Sequence, residues 1–190
     1  MSEFNIIQND LRINEMKKII FVISLFITIK TTQAQILTAE LVANGLTCSM
    51  CSFATQRQLE TIPFIDSIGS DLNHTTFILF FKKDSILDFN LIKKKVEDAG
   101  FSVGSLVLSF AFYNLQIDNN FHLQYQNTLF HFMDVRKQTL NGEVKIKIID
   151  KGFLTTKEFK KYKKIAVKYP CYETGKMEGV NKLHHITVLQ

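Results

Sequence analysis

Cysteine and long apolar runs are scarce in this sequence of 190 residues. Its three cysteines, Cys48, Cys51 and Cys171, are too few and too widely separated to form the disulfide framework of a small secreted domain. The longest mainly apolar run, Ile19 to Ile29, has eleven residues, whereas a membrane-spanning helix needs about 20. Because 46% of the residues are hydrophobic, the sequence predicts a globular protein of one large or two small domains.

The short apolar run lies in a segment that is typical of a secretory signal. From Met16 to Ala34 the order is basic, apolar and then small residues, with predicted cleavage between Ala34 and Gln35. We therefore interpret residues 1–34 as an N-terminal extension and signal peptide, and expect a periplasmic or secreted protein without stable membrane insertion after cleavage. An uncleaved anchor is the alternative, because Lys30 lies late in the segment.

The formal net charge is +5, and much of the basic excess lies in residues 157–164, where lysines alternate with aromatics. Such a tract attracts nucleic acid, but an exported protein rarely meets any, so we expect no nucleic-acid partner. The spacing instead predicts an amphipathic helix from Thr156 to Ile165, with Phe159, Tyr162 and Ile165 facing inward.

Hydrophobic periodicity predicts the order β-α-β-β-α-β in the first half of the mature chain. Pro63 ends the first helix, Asp88 caps the second, and Gly100 follows the second helix at its C-terminus. The predicted strands are Ile36–Asn44, Phe64–Leu72, Thr75–Lys82 and Ser102–Phe110, and the predicted helices are Cys51–Ile62 and Phe89–Ala99.

Beyond residue 110 the sequence predicts a small, mostly antiparallel β domain with one helix, for which an OB-like open barrel is one arrangement. Its predicted strands are Phe121–Tyr125, Thr128–Val135, Glu143–Asp150 and His184–Leu189. We therefore divide the mature chain into residues 35–110 and residues 111–190, and predict an α+β protein. The role of the second part is not predicted.

Two motifs stand at the helix ends of the first part. The sequence GLTCSMC (Gly45 to Cys51) opens the first helix, and VEDAGF (Val96 to Phe101) ends the second. With the apolar positions Leu59, Ile65, Ile68 and Leu72, they resemble the heavy-metal-associated domain family over about residues 36–110. The family includes copper metallochaperones, N-terminal modules of metal-pumping ATPases and periplasmic mercury-binding proteins. The resemblance implies a ferredoxin-like βαββαβ sandwich, which agrees with the predicted element order.

Cys48 and Cys51 are the candidate metal ligands. A thiolate is stabilised where helix N-terminal N–H groups point at it, and both cysteines occupy that position in the predicted order. Two soft sulfurs without a nearby histidine or carboxylate suit Cu(I), which accepts low coordination, better than Zn(II), which prefers four ligands. Other thiophilic metals (Hg, Zn, Cd) are alternatives.

Three further residues are candidates for the surroundings of this metal. Thr47 is neutral, where zinc-transporting relatives commonly have Asp, and this favours Cu(I). Met50 lies between the cysteines and is expected to cover the site or contact a partner. By the resemblance, Phe101 lies near the cysteines and shields them, although core packing would explain it equally well.

The function expected from these features is metal trafficking or sequestration by ligand exchange. The expected partner is a metal-transporting ATPase or another metal-binding protein, and no group positioned for hydrolysis or group transfer is visible, so we do not expect an enzyme. The alternatives are a thiol–disulfide exchange protein that uses the same two cysteines and a protein-interaction module with a vestigial site.

Residues outside the first motif carry weaker expectations. His131 and Met133 share one side of a predicted strand, and His184 and His185 lie near the C-terminus, so a second copper site is conceivable. Nothing in the sequence shows that these groups converge, and Cys171 is interpreted as a bystander thiol. The strand Phe77 to Phe81 is apolar on both faces, which predicts that residues 111–190 pack on its open face or that another protein does.

Overall fold

The computed structural model describes residues 34–71 and 75–189. The predicted signal segment before Ala34 and the predicted turn at Asn73 and His74 lie outside the described residues. Within residues 34–71 and 75–189, no helix is both long enough and apolar enough to cross a membrane.

The protein is of the α+β class, as predicted. Eight strands form a single mixed sheet in the order β2-β3-β1-β4-β7-β8-β6-β5. They are β1 (Ala34–Asn44), β2 (Ile65–Asp71), β3 (Thr76–Phe81), β4 (Ser102–Ile117), β5 (His122–Tyr125), β6 (Thr128–Phe132), β7 (Gln138–Ile148) and β8 (Leu183–Val188). All neighbours are antiparallel except β6 and β8, which are parallel.

The predicted β-α-β-β-α-β order is present in the first part of the chain. Helix α1 (Ser49–Glu60) lies between β1 and β2, and helix α2 (Phe89–Asp98) lies between β3 and β4. The Asp88 carboxylate accepts the Leu91 N–H and so caps α2 as predicted. After α2 the chain turns at Gly100, whose φ of +88° is a left-handed conformation that favours glycine.

The later strands join the same sheet and do not form a sheet of their own. Strand β4 runs across residue 110 and pairs with β1 on one side and with β7 on the other. The eight strands lie in one row from β2 to β5, so they do not form the separate open barrel suggested by the sequence. One hydrophobic core spans both parts and includes Leu41, Leu106, Phe110, Phe130 and Ile186.

Helices cover both faces of the sheet. Buried residues of α1 and α2, among them Leu59 and Ile92, belong to the main core with Leu41 of β1. On the opposite face lie helix α3 (Thr156–Ile165), a short 3₁₀ turn (Ala166–Lys168) and the five-residue helix α4 (Pro170–Thr174). The Lys147 ammonium of β7 contacts the Glu158 carboxylate of α3 at 2.6 Å, which places α3 on this second face.

Helix α3 has the bounds predicted from its periodicity, but its inward face is narrower than expected. Phe159 and Tyr162 pack on a second cluster of buried residues that includes Met133 and Tyr172, whereas Ile165 is 36% exposed. Residues 111–190 also cover the second face of the sheet only partly. On the open face of β3, Phe80 stays 41% exposed and Ile78 is half-buried. Residues 111–190 therefore do not bury this face fully, and contact with another protein stays a prediction.

Candidate functional site

The loop with the two neighbouring cysteines joins β1 to α1. Cys48 has extended backbone angles (φ −146°, ψ 156°) and is the N-cap residue of α1. Its sulfur accepts the Cys51 N–H at 3.2 Å, in the place that a serine or aspartate oxygen fills at other helix starts. The loop therefore places a sulfur atom at the positive end of the helix dipole.

Cys48 and Cys51 are joined as a disulfide, and their Cα atoms are 5.3 Å apart. Cys48 is exposed and Cys51 is half-buried against the main core. The Cys51 carbonyl accepts the hydroxyl of buried Thr55 at 3.1 Å, which ties the second cysteine into the first turn of α1. The two sulfurs thus lie close enough to bind one ion together once they are reduced.

The other residues predicted around this loop take different positions. Thr47 is exposed and, with Cys48, lines a shallow depression of about 280 Å³. Met50 is 72% exposed, so most of its side chain contacts solvent. Phe101 is half-buried, and its ring lies against Gly45. The contact is so close that a Cβ atom added to Gly45 would lie 3.4 Å from Phe101 Cδ1. Phe101 thus packs beside the start of the loop.

A second group of side chains meets on the other face of the sheet. His131 of β6 and His185 of β8 are register partners in the parallel pair, so their side chains project to the same face. Cys171, in the first turn of α4, lies between them. Its sulfur is 3.3 Å from His185 Nε2 and 3.9 Å from His131 Nδ1, and all three ligand atoms lie within 4.8 Å of one another.

Hydrogen bonds fix the orientation of the imidazole rings of His131 and His185. The Asp150 carboxylate accepts the Nδ1–H groups of His184 and His185, each at 2.7 Å, and the His185 backbone N–H at 3.1 Å. His131 Nε2 is 2.9 Å from the Asn120 side-chain oxygen. His131 and His185 are 1% and 0% exposed, whereas Cys171 is half-buried.

The surroundings of these groups shift their protonation. Burial, helped by the charges of His122 and His185, lowers the pKa of His131 to about 4, so this imidazole is neutral at pH 7. Burial also raises the pKa of the Cys171 thiol. Burial acts to raise the pKa of Asp150, but its hydrogen bonds from His184 and His185 outweigh that effect and lower it.

The histidines were expected as candidates for a second copper site, whereas Cys171 was expected to be a bystander thiol. His131, His185 and Cys171 converge, whereas His184 points to the first face, where its ring lies 5.5 Å from the Phe89 ring. Met133 is buried in the cluster with Tyr172. Alternation along a strand puts His184 and His185 on opposite faces. No local signal in the sequence predicts that Cys171 lies beside two histidines that are 40 and 14 residues away.

Comparisons with known proteins do not assign this chain to a family. No family model matches the sequence, and no curated protein matches it. Among solved structures, the chain is similar to the yeast copper transporter domain Ccc2a, which was solved in apo and Cu(I)-loaded states. The match has 23% identity and a TM-score of 0.31, and it covers 34% of this chain and 88% of that domain. A likeness this small supports no conclusion about the function of this chain.

Proposed function

We propose that this chain is an exported protein that binds Cu(I) through Cys48 and Cys51 and passes it on by ligand exchange. The observation that carries the proposal is the placement of both sulfurs at the N-terminus of α1, close enough to bind one ion together. Helix N–H groups and the helix dipole stabilise the thiolate form, which is the form that binds metal.

The difference in exposure between the two cysteines suits ligand exchange. Cys48 is exposed, and the half-buried Cys51 is anchored to the core. An incoming thiolate of a partner can approach on the Cys48 side, while Cys51 keeps its hold on the ion. Because Cu(I) accepts low coordination numbers, the partner sulfur can join before either original sulfur leaves.

The partner would be a metal-transporting ATPase or another metal-binding protein outside the cytoplasm. Met50 and Phe53 are 72% and 50% exposed beside the cysteines, and they supply apolar surface for a transient contact. The proposal includes cleavage of the signal between Ala34 and Gln35, and it gives the loop no catalytic role.

Cu(I) affinity of the reduced full chain tests this function. The protein should take one Cu(I) at this loop from a calibrated chromophoric chelator, and Cys48→Ser or Cys51→Ser should each abolish tight binding there, because a single thiolate cannot replace a two-sulfur chelate. Cys171→Ser leaves the loop intact and is the matched control, which should still bind one Cu(I) tightly. The decisive comparison is made in the Cys171→Ser background, where no thiol outside the loop remains. Unchanged Cu(I) affinity of both loop substitutions in that background would rule out the proposal.

Thiol–disulfide exchange is the second candidate, and the disulfide between Cys48 and Cys51 favours it. An exchange protein would show a two-electron potential in the range of about −270 to −120 mV and would turn over a disulfide substrate. Turnover that both loop variants lose, together with weak Cu(I) binding, would select this function instead.

A further inference from the structure

The group formed by His131, Cys171 and His185 has a feature that ordinary core packing does not explain. Three groups capable of binding metal, from β6, β8 and α4, point at one small volume on the second face of the sheet. Two of them are imidazoles that are almost fully buried, and the third is a thiol with one side towards solvent.

Hydrogen bonds outside the cluster determine which ring nitrogens face inward. A carboxylate can only accept, so His185 donates its Nδ1–H to Asp150 and keeps a lone pair on Nε2. The Asn120 side-chain oxygen also only accepts, so His131 donates its Nε2–H there and keeps a lone pair on Nδ1. Both lone pairs point at Cys171.

The cluster therefore contains more acceptors than donors. A neutral thiol has one S–H and can donate it to only one of the two nitrogens. The other nitrogen is then a buried acceptor facing a sulfur that has no second hydrogen to give. With a thiolate there is no donor at all between the three atoms. A bound cation satisfies all three lone pairs at once.

The distances fit one ion. Ligands at about 2.1 Å (nitrogen) and 2.3 Å (sulfur) from a common metal lie roughly 3.8 Å apart at a trigonal angle, and two such nitrogens lie roughly 3.6 Å apart. The two sulfur–nitrogen separations are 3.3 and 3.9 Å, and the third separation is at most 4.8 Å. Closing the set thus requires the two ring nitrogens to approach each other by at most about 1.2 Å, a movement that the two rings can share.

The geometry points to a second metal site, in which His131 Nδ1, Cys171 Sγ and His185 Nε2 bind one thiophilic ion, with Cu(I) preferred over Zn(II). Two imidazoles and one thiolate form a trigonal set that suits copper, and Zn(II) would need a water as its fourth ligand. Asp150 and Asn120 are the positioning residues that orient the rings, as carboxylates and carbonyls do behind metal-bound histidines. The ion would enter on the half-exposed side of Cys171.

The same atoms also resemble a catalytic Cys-His-Asp arrangement, in which Cys171 is the nucleophile and His185 the base. The second imidazole decides against it. A nucleophile needs one base, whereas His131 offers a further lone pair to the same sulfur and has no hydrogen on the nitrogen that faces it.

Metal binding by the full chain with Cys48→Ser and Cys51→Ser tests the site, because Cys171 is then the only thiol. The reduced protein should bind one Cu(I) in competition with a chromophoric chelator. With Co(II) as a spectroscopic probe, it should show a sulfur-to-cobalt charge-transfer band. It should also unfold at a higher temperature with metal, because the ion joins α4 to two strands and binds only the folded state.

Further substitutions in this background locate the ligands. Cys171→Ser should remove the charge-transfer band, and His131→Ala or His185→Ala should weaken Cu(I) binding about 100-fold or more. Asp150→Asn should weaken it about 10- to 100-fold, in the range known for residues behind metal ligands. His122→Gln is the matched control. This exposed ring stacks on His131 with centroids 4.4 Å apart but is not a ligand, so binding should not change.

Three results would overturn the site: no Cu(I) or Zn(II) taken up by the double variant, no thiolate band with Co(II), or binding that Cys171→Ser leaves unchanged. Acylation of Cys171 by an activated ester without metal uptake would also overturn it and select the nucleophile. The Co(II) band needs no change at the site itself, so the test holds even if a ligand variant fails to fold.

The outcome is separate from that for the first loop. Wild-type protein should take two Cu(I). If it takes only one and loses it in Cys171→Ser, the function proposed for Cys48 and Cys51 fails. If it takes only one and loses it in the Cys48→Ser and Cys51→Ser chain, the second site fails.

Discussion

At the scale of single residues, Asp88 joins distant parts of the chain. Its carboxylate caps α2 by accepting the Leu91 N–H, and it also contacts the Lys182 ammonium at 2.7 Å, just before β8. Burial acts to raise the pKa of Asp88, but the hydrogen bond and charge of Lys182 outweigh it, so the pKa is lowered. One side chain therefore stabilises both a local helix start and a contact across 94 residues.

Two substitutions separate these roles. Asp88→Ala removes the cap and the ion pair and should lower the free energy of unfolding by about 1–2 kcal/mol. Asp88→Asn keeps a capping oxygen and loses only a partly exposed ion pair, so its cost should be below about 1 kcal/mol. Urea unfolding followed by circular dichroism measures both. Equal losses in the two variants would show that the cap contributes nothing.

At the scale of elements, α3 is held on the sheet by an ion pair as well as by its apolar face. Glu158 accepts the Thr155 backbone N–H in a capping box and also contacts the Lys147 ammonium of β7. Burial acts to raise the pKa of Glu158, but the hydrogen bonds from Lys147 and Thr155 and the charge of Lys147 lower it below its ordinary value of 4.5.

This lowered pKa makes part of the stability depend on pH. A carboxyl whose pKa is lower in the folded state contributes fully above its unfolded pKa and loses that contribution as pH falls through the folded value. Glu158→Gln keeps the capping box, so at pH 7 it should cost less than about 1 kcal/mol, because Glu158 is 37% exposed and its charge is screened. The difference from wild type should shrink below about pH 4.5.

Thermal unfolding of both proteins between pH 7 and pH 3 measures this difference. Glu173→Gln is the control, since its pair with Lys163 is more than half exposed on both sides and should contribute little. A Glu158→Gln deficit that stays constant across this pH range would argue against the ion pair.

At the scale of the whole molecule, β4 is the strand that unites the two parts. It pairs with β1 from Ser102 onward and with β7 as far as Ile117. Its buried residues Phe110 and Phe112 belong to the one core that both parts share. The loop with Cys48 and Cys51 is thus carried on a sheet whose far half holds His131 and His185.

Removal of residues 118–190 should therefore damage the first part. It would leave the N–H and C=O groups on the β7 side of β4 unpaired and would expose apolar surface near Phe110, a combination that promotes aggregation. Size-exclusion chromatography should show aggregates or little soluble protein, and a monomer as heat-stable as the full chain would contradict a shared core.

At the level of sequence, residues that are close together along the chain were enough to predict most of the helices and strands. The bounds of α3, the cap at Asp88 and the β-α-β-β-α-β order follow from patterns that span a few residues, and the spacing of Cys48 and Cys51 identifies the first candidate site by itself. The inward position predicted for Ile165 was only partly right, because Ile165 is the last residue of α3 and stays 36% exposed. A helical pattern does not show which neighbours lie at the end of a helix.

The meeting of His131, Cys171 and His185 was decided only by the tertiary structure. Alternation along β8 separates His184 from His185, but the choice of face and partner depends on the parallel register of β6 and β8. Cys171 reaches them through a helix of five residues, too short to leave a periodic signal. By itself the sequence determined most of the helices and strands and the cysteine loop, because these arise from neighbours along the chain. Strand pairing across tens of residues decided the shared sheet and the meeting of His131, Cys171 and His185.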